Sequence, residues 1–443
     1  MNKELPCIKV DPPGPEAKKW LKRNDDTMAP YNRPFYYPIV VDGGEGSVVR
    51  DVDGNLYIDF NSGLGVLNIG QCNKEIINAI HEKSKEFMHY SYTDFACKEP
   101  VMLGEELNKI LPMPCKFFMA SGGTEANEAA LKIARHFSKR QLFIGFIGSF
   151  HGRTFGTMPF SSTSPVQREN FHPFMPGVTL VPYPYCYRCP YQLSYPSCDL
   201  WCVDFIEKWI FDKFVPAEEV AAILVEPIAG ENGYIVPPPE FFPKLKAIAD
   251  KYNILIIADE VQTGCGRTGK FLAIEHFDIV PDIVTMGKAI GGGVPLSVAA
   301  VRRDVMDLPA GAHCTTTGGN PVACNAAMKF LEVLYREKLI ERAGELGDEI
   351  LNRLNSLKTQ YDIIGDVRGK GLAICVELVK DRATKEPIDS KDVVNRLFKK
   401  GLLAVSGGYG VRIFPPLNIE KKLLEIGLDI FEEVINDLNK KFA

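Results

Sequence analysis

Between Cys115 and about Leu308 the sequence alternates short, almost unbroken apolar runs with segments of helical spacing, and this alternation constrains the fold more than any other feature. The apolar runs are CKFFMAS, QLFIGFIGSF, VTLVPY, AAILVEP, ILIIADE and DIVTMG. A strand without a polar face must be covered on both sides, which is the condition of a mostly parallel sheet between helices. The expected fold class is α/β, with a three-layer large domain over residues 70–325. Residues 1–69 are expected to begin as an irregular, proline-rich and charged arm to about residue 35. A β-hairpin follows in SVVRDVDGNLYIDF, turning at Asp53-Gly54. From about Lys74 to Leu111 the spacing is helical, and a long helix starts near Pro321. Residues 326–443 then read as a smaller α+β domain, joined by the N-terminal segment: strand GKGLAICVEL, helix DSKDVVNRLFKKG, strand VRIFPPL and a terminal amphipathic helix.

A chain of 443 residues suits two or three lobes, and 46% apolar with 24% charged residues is globular composition. The formal net charge of −5 gives no reason to expect nucleic acid or an anionic membrane as partner. No apolar run approaches the ~20 residues that span a bilayer, and the N-terminus lacks the apolar stretch of a signal peptide. Twelve cysteines without such a signal read as thiols or metal ligands in a reducing compartment, so the expected location is the cytoplasm.

Lys288 sits in TMGKAIGGGVPLS, 29 residues after Asp259, which ends the apolar run ILIIAD. A lysine that forms a Schiff base with an aldehyde must be partly desolvated. Gly291, Gly292 and Gly293 leave room for a planar ring beside it. The Asp259 carboxylate would hold a proton on a pyridine nitrogen and make that ring an electron sink. The pattern points to pyridoxal phosphate; the competing reading is a solvated lysine on a glycine-rich loop. FMASGGTEANEAALKIAR runs from a strand through Ser-Gly-Gly-Thr into a helix, so Gly123 and Thr124 are candidates for a phosphate at the helix start. The same segment is also an ordinary helix start with Thr124 as cap. In GSFHGRTFG, Phe150 is placed to stack on a ring and Arg153 to hold a carboxylate, or they are simply a core phenylalanine and a surface arginine. The glycines of GCGRTG imitate a dinucleotide fingerprint, but five residues separate them from the strand and no crossover helix follows, so that reading is rejected. Cys186, Cys189, Cys198 and Cys202, within an insertion at residues 183–203, have spacing compatible with structural zinc, an iron–sulfur cluster, two disulfides or four unlinked thiols.

Taken together, these motifs resemble the class III (ω-amino-acid) aminotransferases of the aspartate-aminotransferase fold, fold type I of the pyridoxal-phosphate enzymes. Within that family the likeness is greatest to 4-aminobutyrate aminotransferases. It runs from about Pro34 to the C-terminus and includes DVDGNLYIDFNSGLGVLNIG, VEPIAGENGY, ADEVQTGCGRTG, TTTGGNPVAC and VRIFPPL. The resemblance implies the Schiff-base role for Lys288 and the pyridinium role for Asp259. It places Val261 against the ring, Phe150 stacked on it, Gln262 near the cofactor's 3-oxygen, and Gly123 and Thr124 at the phosphate. Thr316 would reach the phosphate of a neighbouring subunit, implying a homodimer or a dimer of dimers with shared sites. Arg153 would hold the carboxylate of an ω-amino acid, and Arg412 the α-carboxylate of glutamate with Glu231 as its gate. Leu64 would shape the substrate pocket. Two positions depart from the family: GQCNK (Gly70 to Lys74) replaces Gly-His-x-His-Pro, and Thr317 replaces an aromatic residue. The implied reaction moves an amino group from an ω-amino acid, 4-aminobutyrate first, to 2-oxoglutarate. Ornithine derivatives, diamines or β-alanine are alternative donors, an amino-acid racemase is an alternative activity, and a non-catalytic protein on the same fold is the alternative from another class.

Overall fold

The computed structural model describes residues 5–30 and 36–442. The parts of the expected N-terminal arm at residues 1–4 and 31–35 lie outside the described residues. The chain divides into two compact units, one from Glu75 to Glu341 and one combining Met1–Lys74 with Arg342–Ala443. Among the described residues no helix is long and apolar enough to cross a membrane.

In the larger unit the sheet strands are β1 (Cys115–Ala120), β2 (Leu142–Ile147), β3 (Val178–Pro182), β4 (Val220–Val225), β5 (Leu255–Asp259), β6 (Ile283–Met286) and β7 (Ser297–Arg302). They lie in the order β1-β7-β6-β5-β4-β2-β3. Only β7 runs against its neighbours; the remaining adjacent pairs are parallel. The six apolar runs are β1 to β6, and every residue of β4, β5 and β6 is buried. That is the α/β, mostly parallel sheet expected of fold type I.

Helix α1 (Gly123–Ser138) shows why the sheet is covered. Ala126, Ala129, Ala130, Ile133 and Ala134 recur at three- and four-residue spacing and form its buried stripe. Small side chains let the helix lie close to the strands, and Ala129, Ala130, Ile133 and Ala134 join Phe143, Leu224, Ile257 and Val301 in one core. The region read as helical from Lys74 to Leu111 is two helices, Lys74–Glu86 and Lys98–Ile110. The helix near Pro321 ends at Arg336, and a further helix follows over Leu339–Gln360. Periodicity alone did not separate these two, because both carry apolar stripes and the break at Glu337–Lys338 has no proline or glycine.

The smaller unit differs from expectation at its start. Residues 15–27 of the supposed irregular arm form a helix, with Pro15 at its first turn. The Asp53 side chain of the hairpin turn accepts the Glu16 and Ala17 N–H groups at 2.9 Å each and caps that helix across the chain. The hairpin strands are Val48–Asp51 and Leu56–Asp59. GKGLAICVEL is not one strand but the turn and second arm of a hairpin, Ile364–Lys370 with Ala373–Asp381. Strand Gly410–Ile413 pairs with Ala373–Asp381 on one side and Val405–Gly407 on the other.

Gly145, in the middle of β2, offers a test of packing. A Cβ there would stand 2.7 Å from the Phe160 ring and 3.0 Å from Leu180. Gly145→Ala should therefore cost about 1–3 kcal/mol by overpacking. Urea denaturation measures this, and an unchanged midpoint would mean that the sheet yields freely.

Candidate functional site

Because β4, β5 and β6 are buried throughout and almost wholly apolar, polar chemistry in the larger unit gathers at and just beyond the strand ends. The carboxyl ends of β1, β2, β4, β5 and β6 lead respectively into Ser121–Thr124, Gly148–Arg153, Glu226–Glu231, Asp259–Thr263 and Gly287–Lys288. Ligands of open α/β sheets bind at such strand ends. Gly123, Thr124, Phe150, Arg153, Glu231, Asp259, Val261, Gln262 and Lys288, every larger-unit residue expected at the site except Thr316, line one cleft of about 290 Å³.

Asp259 is 4% exposed, and its carboxylate is met on both oxygens. Oδ2 accepts from Asn127 Nδ2 at 2.8 Å and stands 2.7 Å from His151 Nδ1, while Oδ1 accepts the Val261 N–H at 3.0 Å. An ionised carboxylate only accepts, so His151 Nδ1 carries the proton in this pair. Asn127 is itself fixed, donating also to the His151 carbonyl at 2.9 Å and accepting from the Thr285 hydroxyl at 2.7 Å. The His151 N–H donates to Ser161 at 2.9 Å.

The helix start is built for close approach. The first N–H groups of a helix have no intrahelical acceptor. A Cβ at Gly123 would lie 2.6 Å from Val261, so only glycine leaves that backbone bare. The Glu125 side chain turns back to accept the Ser121 and Gly122 N–H groups at 2.7 and 3.0 Å. The Thr124 hydroxyl stands 2.9 Å from that of Thr157. Gly152 has φ +126, and any Cβ there would collide with Thr124, which explains the glycine after His151. Lys288 has φ +48, a left-handed conformation that non-glycine residues adopt at a cost.

The other expected substrate contacts divide between the two units. Gln262 donates to Glu231 at 3.1 Å. Arg153 is exposed, its guanidinium 5.6 Å from the Phe150 ring centre. Thr316 is exposed, and the hydroxyl of neighbouring Thr317 stands 3.0 Å from that of Ser121. Leu64 and Arg412 belong to the smaller unit. Leu64 has φ +62 in a turn whose Ser62 hydroxyl donates to the Phe414 carbonyl at 2.6 Å. Arg412 is fully buried beside Phe414, and a Cβ at Gly407 would stand 2.6 Å from its side chain.

Cys186, Cys189, Cys198 and Cys202 line one small pocket among tyrosines and Trp201 as unlinked thiols. Burial pushes the Cys186 thiol up to about 11 and the Cys202 thiol up to about 12. Among the described residues no group of three or more His, Cys, Asp or Glu side chains is arranged to hold a metal.

Sequence reasoning missed Asn127, His151, Glu226 and Glu260. Asn127 carried a signal, being a polar residue on the buried face of α1. Burial pushes both Glu226 and Glu260 up to about 7.

A family model described as Aminotransferase class-III matches residues 28–435. The chain belongs to that family. It is 40% identical over 435 residues to the leucine/methionine racemase of Thermococcus litoralis, covering 94% of this chain and 97% of that protein. It is 36% identical over 442 residues to the alanine/serine racemase of Pyrococcus horikoshii, covering 98% and 93%. The 4-aminobutyrate aminotransferase GabT of Escherichia coli is 36% identical over 434 residues, covering 95% and 99%. Among solved structures, an (S)-enantioselective omega-transaminase from Thermomicrobium roseum superposes with a TM-score of 0.88 at 30% identity, covering 96% and 99%. Membership of this pyridoxal-phosphate-dependent family makes the chain an enzyme.

Asn127→Leu should leave the Thr285 hydroxyl and one Asp259 contact unmet. A loss of about 1–3 kcal/mol in stability, read from urea denaturation, is expected. A variant as stable as the parent would show that the network tolerates an apolar side chain.

Proposed function

We propose that this class III enzyme binds pyridoxal phosphate in the cleft of the larger unit and acts as an amino-acid racemase or epimerase. The residues fit the group. Gly123 and Thr124 at the start of α1 would hold the phosphate, Phe150 and Val261 would lie against the ring, and Gln262 would serve its 3-oxygen. When bound, the cofactor supplies an electron sink for the bond broken at the amino-bearing carbon. Asp259, held by Asn127 and His151, would keep the ring nitrogen protonated. Lys288 would be the amine that holds the cofactor and a base that moves the substrate proton. Thr316 serves the phosphate of a second copy, so the enzyme is a homodimer or a dimer of dimers. Twelve unlinked cysteines support a reducing compartment, the cytoplasm.

The observation that carries racemisation is likeness along nearly the whole chain to racemases, including the one at 40% identity over 94% of it. Racemisation needs the lysine, the sink and a proton delivered to the opposite face of the α-carbon, and no keto acid. The second reading is transfer of an amino group from 4-aminobutyrate, or another ω-amino donor, to 2-oxoglutarate. It is favoured by Arg153 and Glu231 sharing the cleft with Lys288 and by the Escherichia coli relative. In that reading Arg153 holds the distal carboxylate, Arg412 the α-carboxylate, Glu231 gates Arg412, and Leu64 shapes the pocket.

Holoenzyme given L-leucine, L-methionine or L-alanine in deuterium oxide, without keto acid, should lose optical activity and place deuterium on the α-carbon. Lys288→Ala should reduce that rate at least about a hundredfold. Glutamate formed from 4-aminobutyrate and 2-oxoglutarate, with no racemisation of these amino acids, would replace the first reading by the second.

A further inference from the structure

Glu226 directly follows β4, is 5% exposed, and meets a main-chain N–H with each oxygen. Oε1 accepts from Phe150 and Oε2 from Gly230, both at 2.8 Å. The donors lie on different loops: Phe150 follows β2, and Gly230 immediately precedes Glu231. The Tyr183 hydroxyl holds the backbone of the same segment, donating to the Glu226 and Pro227 carbonyls at 3.0 and 3.1 Å. A Cβ at Gly230 would strike the Gln262 side-chain oxygen, so this glycine keeps Gln262 close to the loop. Gln262 in turn donates to Glu231.

We propose that Glu226 is a positioning residue whose ionised carboxylate brackets the cleft, setting Phe150 on one loop and the Gln262–Glu231 pair on the other. This rests on the cleft being the pyridoxal-phosphate site. The geometry requires a group that only accepts, because both oxygens face N–H donors. Protonation would aim an O–H at one donor, and glutamine would aim an NH₂ at it. Aspartate is one carbon too short to span both loops while Tyr183 holds the backbone.

The bracket is also sensitive to pH. Burial is the largest influence on Glu226 and pushes it up to about 7; Asp259 adds to the rise, while His151 and the two N–H donors oppose it. Tyr183 also faces it, and Glu231, Arg153 and Lys288 line the same cleft. Since the raised value belongs to an acid, the ionised bracket is present above about 7 and lost below it.

Two experiments on the holoenzyme test this. Hydrogen exchange by mass spectrometry, corrected for intrinsic rates, should find the peptides containing Phe150 and Gly230 protected at pH 8 and at least about tenfold less protected at pH 6. Equal protection at both values would overturn the proposal, and this arm needs no variant. Second, Glu226→Gln should lose cofactor on ultrafiltration at least about tenfold more readily than wild type at pH 8, with no further change down to pH 6. Glu226→Asp should behave like the glutamine variant. Retention equal to wild type with an unaltered pH profile would also overturn it. If wild type takes up no pyridoxal phosphate, the site reading fails instead, and the exchange experiment still decides the bracket.

Discussion

A carboxylate buried at the end of an apolar strand must be met by donors, and much of the larger unit is arranged around meeting that demand at Asp259. An isolated buried charge of this kind costs far more than a single hydrogen bond returns. Asn127 reaches it from α1, His151 from the loop after β2, and the Val261 N–H from its own loop. Each donor is held in turn, by Thr285, by Ser161 and by the strand-end turn. The network therefore joins a helix, two loops and two strands, and the polar contacts of the cleft are fixed before any ligand enters.

The same logic explains where the cleft lies. With β4, β5 and β6 buried on both faces, the sheet has no surface on which to bind anything. Function is displaced to the carboxyl ends of the strands, where loops carry polar side chains and helix α1 presents its N–H groups. Glycines at 123, 152 and 230 are the steric condition for these loops to crowd together, since a side chain at each would collide with Val261, Thr124 or Gln262. Under either proposed reading, racemisation or transamination, this apparatus would serve the same first step, removal of a proton from the carbon that bears the amine. The difference between them lies in what is admitted beside it.

In the smaller unit Arg412 is buried whole, which is unusual for a guanidinium. Its place is prepared by the absence of a side chain at Gly407 and by the flanking Phe414 ring. The turn bearing Leu64 is tied to the same strand end through Ser62 and the Phe414 carbonyl. Both substrate candidates of this unit thus stand on one hydrogen-bonded assembly.

The sequence alone determined the class of fold, because six apolar runs separated by helices admit little besides a covered parallel sheet. It also marked Lys288, Asp259 and the Gly123–Thr124 helix start, since each combines a strand end with glycines or with a helix pattern. What it left undecided depended on partners distant along the chain. Asp53 caps a helix at residues 15–27 that composition presents as an irregular arm, and that cap lies 36 or 37 residues from the N–H groups it meets. Four cysteines at metal-like spacing come together on one small pocket among aromatic rings, a juxtaposition that spacing alone does not establish. Asn127, His151 and Glu226 acquired meaning only when folding brought their contacts within hydrogen-bonding distance, up to 158 residues away in sequence. Local pattern fixes which elements form, but the satisfaction of a buried charge is a property of the assembled structure.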